Sequence, residues 1–336
     1  MAQKGILQSN NINVRTDLAI EVSEALQKGS TASDIPGVSV KRFENSEDEI
    51  RVTRVEIEND EGVREMGKPK GTYITIENPY MQINDPDAHE RVIEVFAKEL
   101  LTLLPQTKEK NVLVVGLGNR NATPDALGPK VATKVVVTRH IEQKLPWQID
   151  DSVCALSALT PGVMGITGIE TSEIIKGVVD QTKPDYVLVV DALGARNAGR
   201  VNTTIQINNT GIEPGAGIGN KRKAINEANM GCPVIAIGVP TVVDAATLVS
   251  DMMDHLIDAM LGESDDDDFY EMLQRLSQQE KYLLVKEVLY PHIGNMFVTP
   301  KEIDEVIEYL SSIIANGINI AMHPGITTDD INRFKY

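Results

Sequence analysis

Val112-Leu-Val-Val-Gly-Leu-Gly-Asn119 places a short apolar run directly before a glycine-rich turn. The same four apolar residues, Val-Leu-Val-Val, recur at 187–190. Short apolar runs of this kind are typical of strands that are buried on both faces, as in a parallel sheet. Helical patterns and further strand-like runs alternate around them along the centre of the chain. This alternation predicts an α/β fold with a mostly parallel sheet flanked by helices.

The hydrophobic spacing predicts the individual elements. Strands are expected at 111–115, 186–190, 203–207 and 234–239, and helices at 87–104, 126–137, 169–179, 241–261 and 301–315. Charged and apolar residues alternate within 47–77, which predicts an additional small antiparallel β segment and a possible subdomain. Residues 1–17 are polar and without a hydrophobic period, so we expect a loosely held extension, with 18–336 as a single α/β domain.

Composition narrows the class of partner. The chain has 336 residues and a formal net charge of −17, and so strong an acidic balance argues against nucleic acid as the main partner. No apolar run approaches the ~20 residues that a membrane-spanning helix needs, and the N-terminus lacks the apolar stretch of a secretory signal. Cys154 and Cys232 are too few for a disulfide framework, so we expect two core thiols in a reducing, intracellular setting.

The tetrapeptide Asp-Ala-Leu-Gly occurs twice, at Asp125–Gly128 and at Asp191–Gly194. Asp191 directly follows the second apolar run, and Asp125 lies ten residues after the first, beyond the glycine-rich turn. Open α/β sheets bind their ligands beyond the carboxyl ends of the strands, so the two carboxylates are predicted to converge there. Either aspartate alone would be interpreted as a helix cap or a turn residue. Their shared context favours a functional pair.

Two close carboxylates share a proton because both cannot ionise cheaply. The ionised one can take a proton from water while the protonated one polarises a carbonyl, which predicts hydrolysis without a metal or cofactor. The Asp-Thr/Ser-Gly signature of pepsin-like enzymes and the Gly-x-Ser-x-Gly elbow are both absent. A metal site formed by Asp125, Asp191 and a histidine stays open. His140, at the predicted end of the helix after Asp125, is the candidate third ligand, or else a charged helix end.

Glycine-dense polar loops at 160–171 and 210–220 both contain Thr-Gly-Ile-Glu and are predicted to form the walls of a cleft. The alternative is that their glycines only allow tight turns. Two arginines follow Asp191 closely and are candidates to receive an acidic side chain of a substrate, although a solvated surface role fits them equally. The candidate substrate-binding residues are Gly162, Gly165, Thr167, Arg196 and Arg200.

Taken together, these segments resemble the spore germination protease family, the endopeptidases that degrade small acid-soluble spore proteins. The resemblance covers essentially the whole chain, and a weaker one links its core to hydrogenase maturation proteases, which bind metal. The matching motifs are Arg15–Glu21, Gly116–Asn119, Thr123–Pro129, Pro161–Thr171, Asp191–Arg196, Thr204–Gln206 and Thr210–Asn220.

The resemblance implies a function and a site. The family's two essential aspartates fall on Asp125 and Asp191. The family is made as an inactive homotetrameric zymogen in the cytoplasm of the developing spore and removes its own propeptide, here residues 1–17, by cutting between Asp17 and Leu18. Thr16–Glu21 is similar to the Thr-Glu-Phe/Ile-Ala-Ser-Glu site cut in the DNA-coating substrates. The resemblance thus implies spore proteins and further copies of the chain as partners, with no direct contact to nucleic acid or membrane.

Two other functions are compatible with the sequence. A metal-dependent peptidase similar to the hydrogenase maturation enzymes would lose activity in a strong chelator. A non-catalytic binder of spore proteins would form complexes without cleaving them and would tolerate Asp125→Asn.

Overall fold

The computed structural model describes residues 16–28, 35–45, 49–104, 111–144, 153–215, 222–261, 278–328 and 330. Its strands are β1 (Val38–Asn45), β2 (Ile50–Ile57), β3 (Gly71–Glu77), β4 (Asn111–Gly116), β5 (Ala155–Leu159), β6 (Tyr186–Ala195), β7 (Thr204–Asn208), β8 (Val234–Asp244) and β9 (Phe297–Val298). Its α-helices are α1 (Ala19–Lys28), α2 (Asp60–Met66), α3 (Pro86–Leu103), α4 (Leu127–Lys134), α5 (Arg139–Lys144), α6 (Met164–Thr167), α7 (Thr171–Thr182), α8 (Glu227–Met230), α9 (Ala245–Leu261), α10 (Gln278–Ile293) and α11 (Ile303–Met322).

The strands of the described residues form one mixed sheet in the order β1-β2-β3-β7-β8-β6-β4-β5, with β9 paired to β8. The pairs β8–β6, β6–β4 and β4–β5 are parallel, as expected for strands joined by helical crossovers. The remaining five pairs are antiparallel. The α/β class is therefore confirmed, and the prediction of a mostly parallel sheet is wrong, because β7 runs against β8 and joins the N-terminal strands to the parallel half.

The predicted antiparallel segment at 47–77 corresponds to β2 and β3. These two strands, with β1, continue the main sheet through the pairing of β3 with β7. α1 packs over them, where Ala19 is buried, and Val22 and Leu26 pack against the apolar cluster that contains Val55. The N-terminal part of the described chain is thus joined to the rest through backbone hydrogen bonds.

Two apolar layers cover the parallel half of the sheet. On one face, alternate side chains such as Val114 and Leu188 pack with α3, α4 and α11. On the other face, Leu113, Val187 and Val189 pack with α7 and α8. Burial on both faces explains why β4 and the first part of β6 are apolar throughout.

Several predicted elements end elsewhere than expected. β6 continues to Ala195 and β8 to Asp244, so Asp191 lies within a strand and not after one. Residues 1–15 lie outside the described residues. Thr16 and Asp17 are not loosely held, since Thr16 is buried and Asp17 makes several hydrogen bonds to the sheet. Among the described residues, every helix is too short or too polar to cross a membrane.

Candidate active site

Asp191 projects from the middle of the sheet. Its Cα partner on β8 is Gly238, and only 6% of its surface is exposed. The Ala192 N–H donates to its Oδ1 at 2.9 Å. Burial raises the pKa of Asp191 well above its ordinary range, and the negative charges of Asp125 and Asp17 raise it further. The Asp191 carboxyl therefore holds a proton at a pH where an exposed aspartate has lost it.

The glycine-rich turn after β4 carries Asp125 back toward β6. The Leu117 N–H donates to the Val190 carbonyl at 2.8 Å, which joins the start of the turn to the strand that carries Asp191. Gly118 has φ +110, and a methyl group on it would lie 2.0 Å from the Asp125 carbonyl oxygen, so only glycine fits there. The Asn119 N–H then donates to Asp125 Oδ2 at 2.7 Å. The backbone of the turn thus contacts Asp125 closely and fixes the position of its carboxylate.

Asp125 is not a helix cap. It ends a 3-10 turn at Thr123–Asp125, and α4 begins after Ala126 without a side-chain cap. The pKa of Asp125 is also raised above its ordinary value, because burial outweighs the hydrogen bond from Asn119 and the charge of Arg222, which lower it. These two groups favour the ionised form of Asp125, whereas the next charges that reach Asp191 are negative. Asp191, with the more strongly raised pKa, is therefore the member of the pair that keeps its proton to the higher pH.

The segment that contains the Asp17–Leu18 peptide bond docks on β6 three residues beyond Asp191. The Asp17 N–H donates to the Gly194 carbonyl at 3.1 Å, and the Gly194 N–H donates to Asp17 Oδ2 at 2.8 Å. Leu18 is fully buried in one apolar cluster with Leu193, on the face of β6 that carries Asp191. The peptide bond therefore lies on the same side of the sheet as the buried acid.

Two side chains bind the carbonyl oxygen of Asp17. Lys68 Nζ donates to it at 3.0 Å, and Gln206 Nε2 donates at 3.1 Å. Gln206 also accepts from the Ala19 N–H at 2.7 Å through Oε1. Its amide therefore bridges the two peptide groups on either side of Leu18.

Sheet register brings Gln206 and Asp191 into one row. Both are Cα partners of Gly238, one on each side of β8, so their Cα atoms are separated by two strand spacings, about 10 Å. Residues in register on neighbouring strands point to the same face. Gly238 between them has no side chain, and a methyl group there would lie 2.5 Å from the Leu193 side chain. The Leu193 side chain therefore packs over Gly238, in the row between the Gln206 amide and the Asp191 carboxyl.

Comparison with known proteins assigns the family. The family model described as germination protease matches residues 15–268 and 258–335. The chain is 50% identical over 323 residues to a germination protease of Clostridium perfringens, which covers 96% of this chain and 99% of the relative. It is 48% identical to one of Caldanaerobacter subterraneus, covering 97% and 99%, and 41% identical to one of Bacillus velezensis, covering 98% and 99%.

The chain belongs to the germination protease family. Membership makes it a peptidase of spore germination, and the names of the relatives agree in this.

In this member of the germination protease family, the two candidate arginines contact acidic groups of the same chain. Arg196 Nη2 lies 2.8 Å from Asp251 Oδ1. Arg200 pairs with Glu24 at 2.7 Å and with Glu77 at 2.9 Å, and lies 3.8 Å from Glu21. Arg200 therefore links α1 to β3. Of its three partners, only Glu21 lies within the segment that is similar to the substrate site.

The Glu21 carboxylate is held by three hydrogen-bond donors. It accepts from the Arg196 N–H and the Asn197 N–H, both at 2.8 Å, and from the Thr16 hydroxyl. Burial raises the pKa of Glu21, and these hydrogen bonds and the Arg200 charge lower it. The segment from Thr16 to Glu21 is thus bound at both ends by the strand and turn that follow Asp191.

The loop after β5 lies at the same sheet edge as the Asp125 turn, because β4 and β5 are parallel neighbours. Gly162 has φ +73 and accepts from the Thr171 hydroxyl, Gly165 is open to solvent, and the Thr167 hydroxyl caps the turn at Ile169. None of the contacts described for this loop reaches Asp125 or Asp191, so its role in binding stays a prediction.

The second predicted wall, 210–220, is described only to residue 215. His140 lies in α5, separate from the helix that follows Asp125. Within the described ranges, no group of three or more His, Cys, Asp or Glu residues has the arrangement of a metal site.

Lys68 and Glu21 are not among the site residues that the sequence predicts. Gln206 lies in one of the motifs that carry the resemblance, but no role was assigned to it. Lys68 stands in no recognisable motif.

Proposed function

We propose that the chain is an aspartic-type endopeptidase that uses Asp125 as base and Asp191 as acid, and that it cuts its own chain between Asp17 and Leu18. One observation carries the proposal. The Asp17–Leu18 bond is docked on the face of the sheet that carries a buried carboxyl with a raised pKa, and its carbonyl oxygen is bound by two donors. A peptide that only packed against the sheet would not need a carboxyl with a strongly raised pKa on that face.

The chemistry follows from the separated pKa values. Ionised Asp125 takes a proton from water as the water oxygen bonds to the Asp17 carbonyl carbon. The tetrahedral intermediate then breaks its bond to the Leu18 nitrogen, which takes the proton held by Asp191. The new carboxyl at Asp17 gives its proton to the Leu18 amine, so the products are a carboxylate and an ammonium group, and the proton that Asp125 took from water stays on the aspartate pair. One water is consumed, and no other reactant is needed.

The docked segment also supports a class of substrate. Thr16–Glu21 is similar to the site cut in small acid-soluble spore proteins, so the segment serves as an internal copy of the target. We propose that these DNA-coating proteins are the substrates, inside the germinating spore, and that the chain is made as a homotetrameric zymogen. In the full chain, Leu18 and Glu21 fill positions that a substrate would use, which supports an inactive precursor.

The first test measures intact mass after incubation at mildly acidic pH for wild type, Asp125→Asn and Asp191→Asn. Wild type is expected to lose residues 1–17, and each variant to do so at least about 100-fold more slowly, the usual contribution of a general acid or base. Asp180→Asn is the matched control, since Asp180 is an exposed partner of Lys176 on α7.

Equal processing in all three proteins would contradict the aspartate pair. No processing in any of them, together with stable complexes with spore proteins, would favour the non-catalytic binder. Loss of wild-type processing in a chelator, restored by one metal, would favour the metal-dependent peptidase.

A further inference from the structure

We propose that Lys68 and Gln206 form the site that binds the carbonyl oxygen of the cleaved peptide bond and stabilises the negative charge that develops on it. The proposal rests on the proposed self-cleavage between Asp17 and Leu18. It assigns a catalytic role to two residues outside the repeated Asp-Ala-Leu-Gly motif.

The distances fit this role. Donors that stabilise an oxyanion lie 2.7–3.1 Å from it, and Lys68 Nζ and Gln206 Nε2 lie 3.0 and 3.1 Å from the Asp17 carbonyl oxygen. The two donors come from different parts of the fold, one from the loop before β3 and one from β7. They converge on one of the two peptide groups that flank Leu18, and this is the peptide group proposed to be cut.

The orientation of the Gln206 amide is fixed. Its Oε1 accepts from the Ala19 N–H, so Nε2, which carries the donor hydrogens, faces the Asp17 carbonyl. The backbone on both sides of Leu18 is therefore held in one register relative to the row that contains Gly238 and Asp191.

Lys68 supplies a positive charge where negative charge develops. It is half-buried, and the pKa of its amine is lowered from its ordinary value, because burial outweighs the charges of Asp17, Glu21 and Glu213, which raise it. A cation in a partly dehydrated site stabilises an oxyanion more strongly than it would in water. The surrounding carboxylates favour the protonated amine that this role requires.

Under this assignment, Lys68 and Gln206 act on the carbonyl oxygen and Asp191 acts on the leaving nitrogen. With its oxygen bound by Lys68 and Gln206, the carbonyl does not need the Asp191 proton. That proton goes to the leaving nitrogen of Leu18. Water still adds to the carbonyl carbon with loss of one proton to Asp125, so the atoms balance as in the proposed hydrolysis.

The test compares first-order rates of self-processing in the full chain for Lys68→Met and Gln206→Met. Each is expected to be about 100-fold slower than wild type, as when one oxyanion donor is removed. Lys68→Arg keeps a cationic donor and should recover part of the rate. Lys70→Met, an exposed neighbour, and Thr204→Val, a buried hydroxyl on the same face of β7, are matched controls that should process normally.

A second readout separates catalysis from anchoring. Hydrogen exchange of the peptide covering residues 16–28 reports whether the segment stays docked. Slow cleavage with wild-type protection in Lys68→Met or Gln206→Met supports the proposal. Normal cleavage rates, or slowing that matches the loss of protection, would overturn it while leaving the aspartate pair intact. A wild type that does not self-process would overturn both proposals.

Discussion

Burying an ionisable carboxyl group destabilises the folded state, and Asp191 is the clearest case among the described residues. Its carboxyl is almost fully enclosed, and the nearest charges that act on it, Asp125 and Asp17, are negative. The raised pKa that suits an acid catalyst is therefore also a source of instability near neutral pH.

The sign of this effect gives a prediction for Asp191→Asn. Below the ordinary aspartate pKa, about 3.9, Asp191 is protonated in both the folded and the unfolded chain, so its ionisation does not affect the free energy of unfolding. As the pH rises, Asp191 ionises first in the unfolded chain, so wild type loses stability until the pH passes the pKa of Asp191 in the folded chain. Asparagine does not ionise and can keep the hydrogen bond from Ala192. The variant is expected to match wild type near pH 4 and to exceed it near pH 7.

Denaturant unfolding at the two pH values measures this difference, on chains whose intact mass shows that residues 1–17 are present. Asp180→Asn should give no comparable gain, because Asp180 is exposed. A variant that is less stable than wild type at pH 7 would show that Asp191 is held by compensating interactions.

Individual residues also show how much of the candidate site can be predicted from the sequence. Asp125 and Asp191 were found because a repeated tetrapeptide beside a repeated strand is visible in one dimension. Lys68 and Gln206 bind the Asp17 carbonyl although they lie 51 and 189 residues from it in the sequence. No local sequence pattern predicts such a contact. The role of Arg200 toward a substrate acid stays a prediction, and the sequence does not reveal Glu24 and Glu77, which the fold brings to it from α1 and β3.

Among the elements, the contact between β4 and α4 fixes where Asp125 stands. A methyl group on Gly128 would lie 2.3 Å from the Leu117 carbonyl oxygen and 2.4 Å from that of Val190. One on Gly116 would lie 2.1 Å from the Gly128 carbonyl oxygen. The helix therefore packs directly on two strand backbones, which holds the turn between them. The glycine of the first Asp-Ala-Leu-Gly copy serves this close contact.

Gly128→Ala is expected to destabilise the protein by about 1–3 kcal/mol, the usual cost of overpacking a closed contact, and to slow self-processing because the Asp125 turn must move. Gly177→Ala is the matched control. Gly177 lies within α7 with open space around it, so alanine should stabilise by roughly 0.5–1 kcal/mol. Thermal unfolding measures both. A Gly128→Ala protein as stable as wild type would mean that α4 shifts freely.

The same scale explains the error in sheet type. The predicted bounds of β4 and α3 agree with the structure because both follow simple hydrophobic patterns, whereas β5 is absent from the predicted strands. The direction of β7 and its pairing with β3 depend on contacts between distant segments, which periodicity does not encode. The extension of β6 past Asp191 was missed because a carboxylate in a core strand violates the usual pattern, and such violations occur at functional sites.

For the molecule as a whole, the N-terminal segment joins the two halves of the sheet. Asp17 bonds to Gly194 of β6, its carbonyl is bound from β7 and from the loop before β3, and α1 packs over the N-terminal strands. Under the proposed function, each chain thus fills its own site with the segment that it cuts. This arrangement favours cleavage within one chain, since a tethered segment has a very high effective concentration and leaves no space for a second one.

We therefore expect self-processing to be first order, with a rate constant independent of protein concentration. Wild-type chains mixed with ¹⁵N-labelled Asp191→Asn chains provide the test, because intact mass distinguishes the two. Wild type should lose residues 1–17 while the labelled chains keep them, since their own acid is missing and their segment stays docked. A labelled wild-type sample checks that the isotope has no effect. Trimming of the labelled Asp191→Asn chains at a comparable rate would mean that the segment leaves its own site and is cut by another copy.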